Sequence, residues 1–178
     1  MPHIHILTVS DRAHAGHLPD TTGPRAVELA AEHFPEWSAD SAIVPDGIES
    51  VSSGVLAARG RGADVVLTLG GTGCSPRDLT PEAMDSLIGT ELPGIAEMLR
   101  REGEAQTATA ALGRGRAGIV GRPKSGAHEE EAPPPEPPTV VVNLAGSLRA
   151  TEQGLALLAP LLPHLIEQLS GGGDHARH

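Results

Sequence analysis

Three short segments concentrate residue types suited to phosphate and metal chemistry. They are Ser10-Asp11-Arg12, the run Leu69-Gly70-Gly71-Thr72-Gly73-Cys74-Ser75-Pro76-Arg77-Asp78, and Asn143-Leu144-Ala145-Gly146-Ser147. Gly70, Gly71 and Gly73 allow a sharp turn and a close approach of the main chain to a ligand. Thr72 and Ser75 add hydroxyls, so the run could form a phosphate cradle; a plain turn after a strand is the competing reading. A carboxylate beside a phosphate site is repelled unless a cation intervenes. Asp78 is therefore a candidate Mg2+ ligand, or else a favourable charge at the start of the next helix. Asp46, in Val44-Pro45-Asp46, reads by itself as a helix cap.

Several common chemistries are excluded. Pro76 breaks the spacing of a G-x-G-x-x-G dinucleotide fingerprint. The sole lysine lies in Gly121-Arg122-Pro123-Lys124, so there is no P-loop. Neither Ser10 nor Ser147 sits in a G-x-S-x-G elbow. Cys74, with only Arg77 as a basic neighbour, reads as a small loop residue. His3 and His5 share a strand face, but no acidic or cysteine neighbour in sequence makes them metal ligands.

The elements that must position these segments alternate between strand and helix. Residues 3–10 alternate and are β-branched, a strand, and 11–23 read as a polar loop. A helix is expected from Thr22, as N-cap, to His33, then a strand over 38–44. Asp46 should cap a helix to about Arg59. Residues 63–69 are a continuous apolar run, as in a strand buried on both faces. Thr80-Pro81 should start a helix to about Ile88, and Pro93 another to about Glu104. A short strand is expected near Ile119, a buried strand over 139–144, and a helix from Ser147 that kinks or restarts at Pro160 and Pro163. This order argues for one three-layer α/β/α domain over residues 1–170 with a mostly parallel sheet. Ligands in such sheets bind beyond the carboxyl ends of the strands, so the three segments should meet on one rim.

Composition narrows the function. The formal net charge is −10, which disfavours general nucleic-acid or membrane-surface binding. Aromatic residues are 1%, so base stacking on an aromatic platform is disfavoured too. No apolar run reaches the roughly 20 residues of a membrane span, and one cysteine fits a reducing, cytoplasmic setting. Residues 123–138, with three consecutive glutamates and Pro133-Pro134-Pro135-Glu136-Pro137-Pro138, read as a solvated loop. Residues 171–178 read as a flexible tail.

The run from Thr68 to Gly73, followed by Ser75-Pro76-Arg77-Asp78-Leu79-Thr80-Pro81-Glu82-Ala83, resembles the signature of molybdopterin adenylyltransferases and molybdenum-cofactor biosynthesis protein B. Val9-Ser10-Asp11-Arg12, Val44-Pro45-Asp46 and Leu92-Pro93-Gly94 with Glu97 and Arg100 are similar to further segments of that family, in the same order. Asn143-Leu144-Ala145-Gly146-Ser147 is similar to its N-L-P-G-S turn. The resemblance implies a homotrimer of α/β subunits that adenylylates molybdopterin with Mg2+ and ATP and releases pyrophosphate. It implies that Asp46 and Asp78 match two required aspartates that hold the metal. Ser10, Asp11, Gly70, Gly71, Thr72, Gly73, Ser75, Arg77, Asn143, Gly146 and Ser147 are the implied substrate-binding set. A molybdenum-insertion protein is an implied partner. Ala145 stands where the family has proline, and Leu112-Gly113-Arg114 where it has L-S-R. Those two changes favour the alternative, a non-catalytic pterin-binding relative acting in storage or delivery.

Deleting residues 125–137 should lower the unfolding free energy by less than ~1 kcal/mol in urea denaturation, because the segment has little apolar area to bury. A larger loss would show that the segment packs.

Overall fold

The computed structural model describes residues 1–122 and 137–171. The solvated loop expected at 123–138 and the tail at 171–178 therefore lie almost wholly outside the described residues.

Four strands run parallel: β1 (His3–Val9), β2 (Ser38–Val44), β3 (Val65–Leu69) and β6 (Thr139–Leu144). Two more, β4 (Ile88–Glu91) and β5 (Ala117–Val120), complete a sheet of order β2-β1-β3-β6-β5-β4, with β5 antiparallel to β6 and β4 antiparallel to β5. The chain is thus a mixed α/β fold in which all three segments singled out above follow strands of the parallel part, β1, β3 and β6. β3 is buried at every position, as its unbroken apolar run implies. One face of the sheet packs Ile4, Ile6, Leu67 and Val142 against α2 (Thr22–His33), α6 (Leu148–Leu158) and α7 (Leu162–Leu169). The other packs Leu7, Val9 and Val66 against α3 (Ile48–Gly60) and α4 (Thr80–Ala83). Among the described residues no helix is long and apolar enough to cross a membrane.

Most expected elements form, and the differences have local causes. Residues 11–14 are a one-turn helix, α1 (Asp11–His14), because Ser10 accepts from the Ala13 amide. The first turn of α2 is satisfied by Asp20, which takes the amides of both Thr22 and Gly23 at 3.0 Å, so Thr22 is not the cap. Asp46 does not cap α3; Gly47 occupies that position, and the Asp46 carboxylate accepts from the Asp11 amide at the start of α1. The helix from Thr80 stops at Ala83 instead of reaching Ile88. The amides of Leu87 and Ile88 close a turn on Met84, and Ile88 is then buried in β4 opposite Val120. That pairing joins residues far apart in the chain and leaves no local pattern. Between α6 and α7 the helix restarts, as Pro160 and Pro163 require.

A polar pair sits inside the sheet next to the ligand rim. Asn143 Nδ2 donates to Thr68 Oγ1 at 3.0 Å, and Asn143 Oδ1 accepts from the Arg116 amide at 3.1 Å. The side chain of Asn143 is thus spent on locking β6 to β3 and to the entry of β5. Thr68→Val keeps the shape and leaves the Asn143 amide unpaired in the core, which should cost about 1–3 kcal/mol. Urea denaturation measures it; an unchanged midpoint and slope would show that the pair contributes nothing.

Candidate active site

The register brings the strand ends together. Thr8 lies opposite Leu69, Leu69 opposite Leu144, and Val9 opposite Val44. The turns that follow therefore leave the sheet at one rim, as expected for an open parallel sheet. They enclose a cavity of about 590 Å3 whose floor is Gly70–Gly73 and the 143–147 turn. Its walls are α5 (Pro93–Glu104), a 3-10 turn (Ala108–Leu112) and the first turns of α6.

The glycine loop can only be built from glycine at two positions. Gly70 and Gly71 have φ of 110° and 64°. A Cβ on Gly70 would stand 2.7 Å from the Val9 carbonyl oxygen, and one on Gly71 would collide with the Thr80 hydroxyl. Thr80 Oγ1 instead donates to the Gly70 carbonyl at 2.9 Å, and the Thr80 amide donates to Gly71 O at 3.1 Å. The two main-chain acceptors of the turn are thereby consumed from below. Among the described residues the Gly71, Thr72 and Gly73 amides make no hydrogen bond to another protein group, and all three residues line the cavity. On the facing side, Ser147 caps α6 and sets the helix start against the same space, adding the partial positive charge of its N-terminus.

The loop beyond Gly73 is held by charge. Asp78 Oδ2 accepts from the Ser75 amide at 2.8 Å, and the Asp78 amide donates to Ser75 O at 2.9 Å. Arg114, which the sequence marked only as part of Leu112-Gly113-Arg114, spans the whole loop. Its Nε donates to Gly73 O at 2.8 Å, its Nη2 to Asp78 O at 2.5 Å, and its Nη1 to Glu82. The Arg114 hydrogen bond holds the Glu82 carboxyl below the usual glutamate range, against the opposing effect of burial. Nothing local in the sequence shows this fork, because its partners lie 32 or more residues away.

Eight of the sequence-predicted site residues line the cavity: Gly70, Gly71, Thr72, Gly73, Asp78, Asn143, Gly146 and Ser147. Ser10, Asp11, Asp46, Ser75 and Arg77 do not line it and form an adjoining rim. There the Asp11 amide donates to Asp46 Oδ2 at 3.0 Å, and the Asp46 amide donates to Asp11 Oδ1 at 3.1 Å. Arg77 Nη1 joins this pair to the glycine loop through Asp11 Oδ2 at 3.3 Å. Arg100 and Arg149 add cationic groups to the cavity wall, while Leu99, Leu112 and Leu157 make part of it apolar.

Arg114→Lys keeps the charge and loses the fork. Amide exchange over residues 72–78 should speed up about tenfold or more, with global stability changed by less than ~1 kcal/mol. Unchanged exchange would show that the loop holds itself. The Arg114–Glu82 contribution is complete above the ordinary glutamate value of 4.5 and is lost as pH falls through the lower folded value. The protection of the wild-type loop, measured against the intrinsic exchange rate at each pH, should therefore fall below that pH towards the variant's.

Comparison with known proteins gives the site its family. Residues 5–164 match the family described as a probable molybdopterin binding domain. A molybdenum cofactor biosynthesis bifunctional protein of Synechococcus elongatus is 35% identical over 170 residues, 96% of this chain and 48% of that protein. A molybdopterin adenylyltransferase of Helicobacter pylori is 30% identical over 173 residues, 95% of this chain and 88% of that protein. The chain spans half or less of the first curated relatives it matches, at 48%, 24% and 50% of their lengths. Among solved structures, a molybdopterin biosynthesis protein from Mycobacterium abscessus superposes with a TM-score of 0.79 at 38% identity, covering 96% of this chain and 97% of that one. The molybdopterin biosynthesis enzyme MoaB from Thermus thermophilus superposes at 0.77 and 38% identity, covering 96% and 98%. Since the match runs through every strand of the ligand rim, this chain belongs to the molybdopterin-binding domain family of molybdenum cofactor biosynthesis.

Proposed function

We propose that this chain adenylylates molybdopterin. A phosphate oxygen of the pterin forms a bond to the α-phosphorus of ATP, the bond from that phosphorus to the β-phosphate bridge breaks, and pyrophosphate leaves. The observation that carries the reading is the pairing of unspent glycine-loop amides with the capped start of α6 across one cavity, with Asp78 on its edge. A molybdopterin adenylyltransferase is 30% identical across 95% of the chain.

In this reading the Gly71–Gly73 amides and the 143–147 turn hold the pterin phosphate. Arg100 and Arg149 offset the charge of two anionic substrates in an acidic protein. The apolar wall of Leu99, Leu112 and Leu157 takes the less polar part of a ligand and excludes water. The donor set at the rim suits a hard divalent cation such as Mg2+. Asp46 and Asp78 each commit one carboxylate oxygen to a main-chain amide and leave the other without a protein partner among the described residues. Those two residues would hold Mg2+, which would screen the triphosphate. Arg77 would position Asp11, and through it Asp46, relative to the loop. Catalysis then comes mainly from alignment and from fixed charge. The assembly in this proposal is a homotrimer in the cytoplasm that passes its product to a molybdenum-insertion protein.

Gly113 and Ala145 favour a second reading, a pterin-binding protein that does not turn over. Gly113 lines the cavity without a hydroxyl. One assay separates the two: purified protein with molybdopterin, ATP and Mg2+, followed by detection of adenylylated pterin. Asp78→Asn retains an amide oxygen that can still accept from Ser75, so the loop should keep its shape. Its turnover should fall by a factor of roughly 100 or more, with pterin binding preserved. Normal turnover in the variant would refute the metal role of Asp78, and binding without turnover in the wild type would establish the second reading.

A further inference from the structure

A second polar cluster lies away from the cavity, on the face of the sheet that carries α3. His3 and His5 project from one face of β1, followed on that face by Leu7 and Val9 in the core beneath α3. In the parallel register Ser38 stands opposite His3 and Asp40 opposite His5. Asp40 Oδ1 is shared between the two rings, 2.5 Å from His5 Nδ1 and 3.1 Å from His3 Nε2. The sequence withheld a metal role from the histidine pair for lack of an acidic partner. Strand pairing supplies that partner from 35 residues away.

We propose that His3, His5 and Asp40 form a site for a transition-metal cation of the Zn2+ class, separate from the cavity. Two imidazole nitrogens and one carboxylate oxygen suit such a cation better than Mg2+ or Ca2+, which take oxygen donors. The three ligand atoms lie within 4.8 Å of one another. That spacing brackets the edges, roughly 3.3 Å, of a tetrahedron with metal–ligand bonds of about 2.0 Å. His5 is 2% exposed and its ring cannot swing away, whereas Asp40, at 51%, leaves a side open for a fourth ligand such as water. His3 Nδ1 is 2.8 Å from the Ser38 hydroxyl, the kind of outer contact that orients a ligating imidazole.

The protons balance within the cluster. Arg61 Nη2 lies 3.5 Å from His5 Nε2, and a guanidinium only donates, so neutral His5 carries its proton on Nδ1 and shares it with Asp40. On metal binding that proton moves to Nε2, the Nδ1 lone pair turns to the metal, and the exposed Arg61 side chain turns outward. The metal would tie edge strand β2 to β1. Those strands end in the reciprocal Asp11–Asp46 pair, but Asp46 is six residues beyond Asp40, roughly 20 Å along an extended strand. The site therefore acts on the frame and not on the reacting groups.

The full chain, freed of metal with a chelator, is titrated with Zn2+ by calorimetry, and with Co2+ for its visible absorption. The expected result is one site of micromolar or tighter affinity, with the Co2+ spectrum of a four-coordinate centre. His3→Ala and Asp40→Asn should each weaken Zn2+ at least tenfold. Both alter side chains with 26% and 51% exposure, and circular dichroism should confirm that both variants fold. Unchanged affinity in the folded variants would place the zinc on other groups, such as His14 and His17. Either that result or the absence of saturable binding to the wild type would overturn the proposal and leave a hydrogen-bonded cluster only.

Discussion

A parallel sheet can satisfy the main chain of its strands only while they run side by side. Where β1, β3 and β6 end together, the next few amides and carbonyls lose their ladder partners and must find others. In this protein the carbonyls find protein donors: Thr80 serves Gly70 and Gly71, and Arg114 serves Gly73 and Asp78. The amides of Gly71, Thr72 and Gly73 do not find acceptors among the described residues. The glycine loop is thus left with free main-chain donors and occupied carbonyls, which is the polarity an anion needs.

That asymmetry is what would allow a chain of net charge −10 to take the anionic ligand proposed above. The overall charge repels phosphate at long range, and salt screens that field over about 8 Å. At contact, fixed dipoles and arginines decide. The charged groups nearest the loop are mutually compensated, Arg114 by Glu82 and Arg77 by Asp11. They supply rigidity more than net charge. Rigid donors already aimed at the ligand need no reorganisation when it arrives, and that property suits both tight binding and catalysis by alignment.

The same strands carry polar groups at two levels. At the carboxyl end, Asp11 and Asp46 cross-link β1 and β2 through main-chain amides. Nearer the start, His3, His5, Ser38 and Asp40 cross-link them through side chains. β2 is the edge strand and only partly buried, so it gains less from apolar packing than β3 does. Polar ties at both levels compensate for that and hold the register on which the placement of Asp46 depends.

Local patterns in the sequence determined much of this. The buried run 65–69, the alternation at the start of β1, the proline-marked helix starts and the glycine loop each have a signal within a few residues, because each is decided by local backbone chemistry. The convergence of three segments on one rim followed from strand–helix alternation alone. Tertiary structure decided what depends on pairing across the chain. β4 exists because β5 is available to pair with it, and no periodicity in Ile88–Glu91 announces that. Asp46 looks like a helix cap until Asp11 takes its carboxylate, and Arg114 looks unremarkable until its fork closes on Gly73, Asp78 and Glu82. Asp40 likewise meets the two histidines only through the register of β1 and β2. A side chain's partner is set by the fold whenever it lies tens of residues away, since spacing in sequence carries no distance in space beyond one turn or one strand.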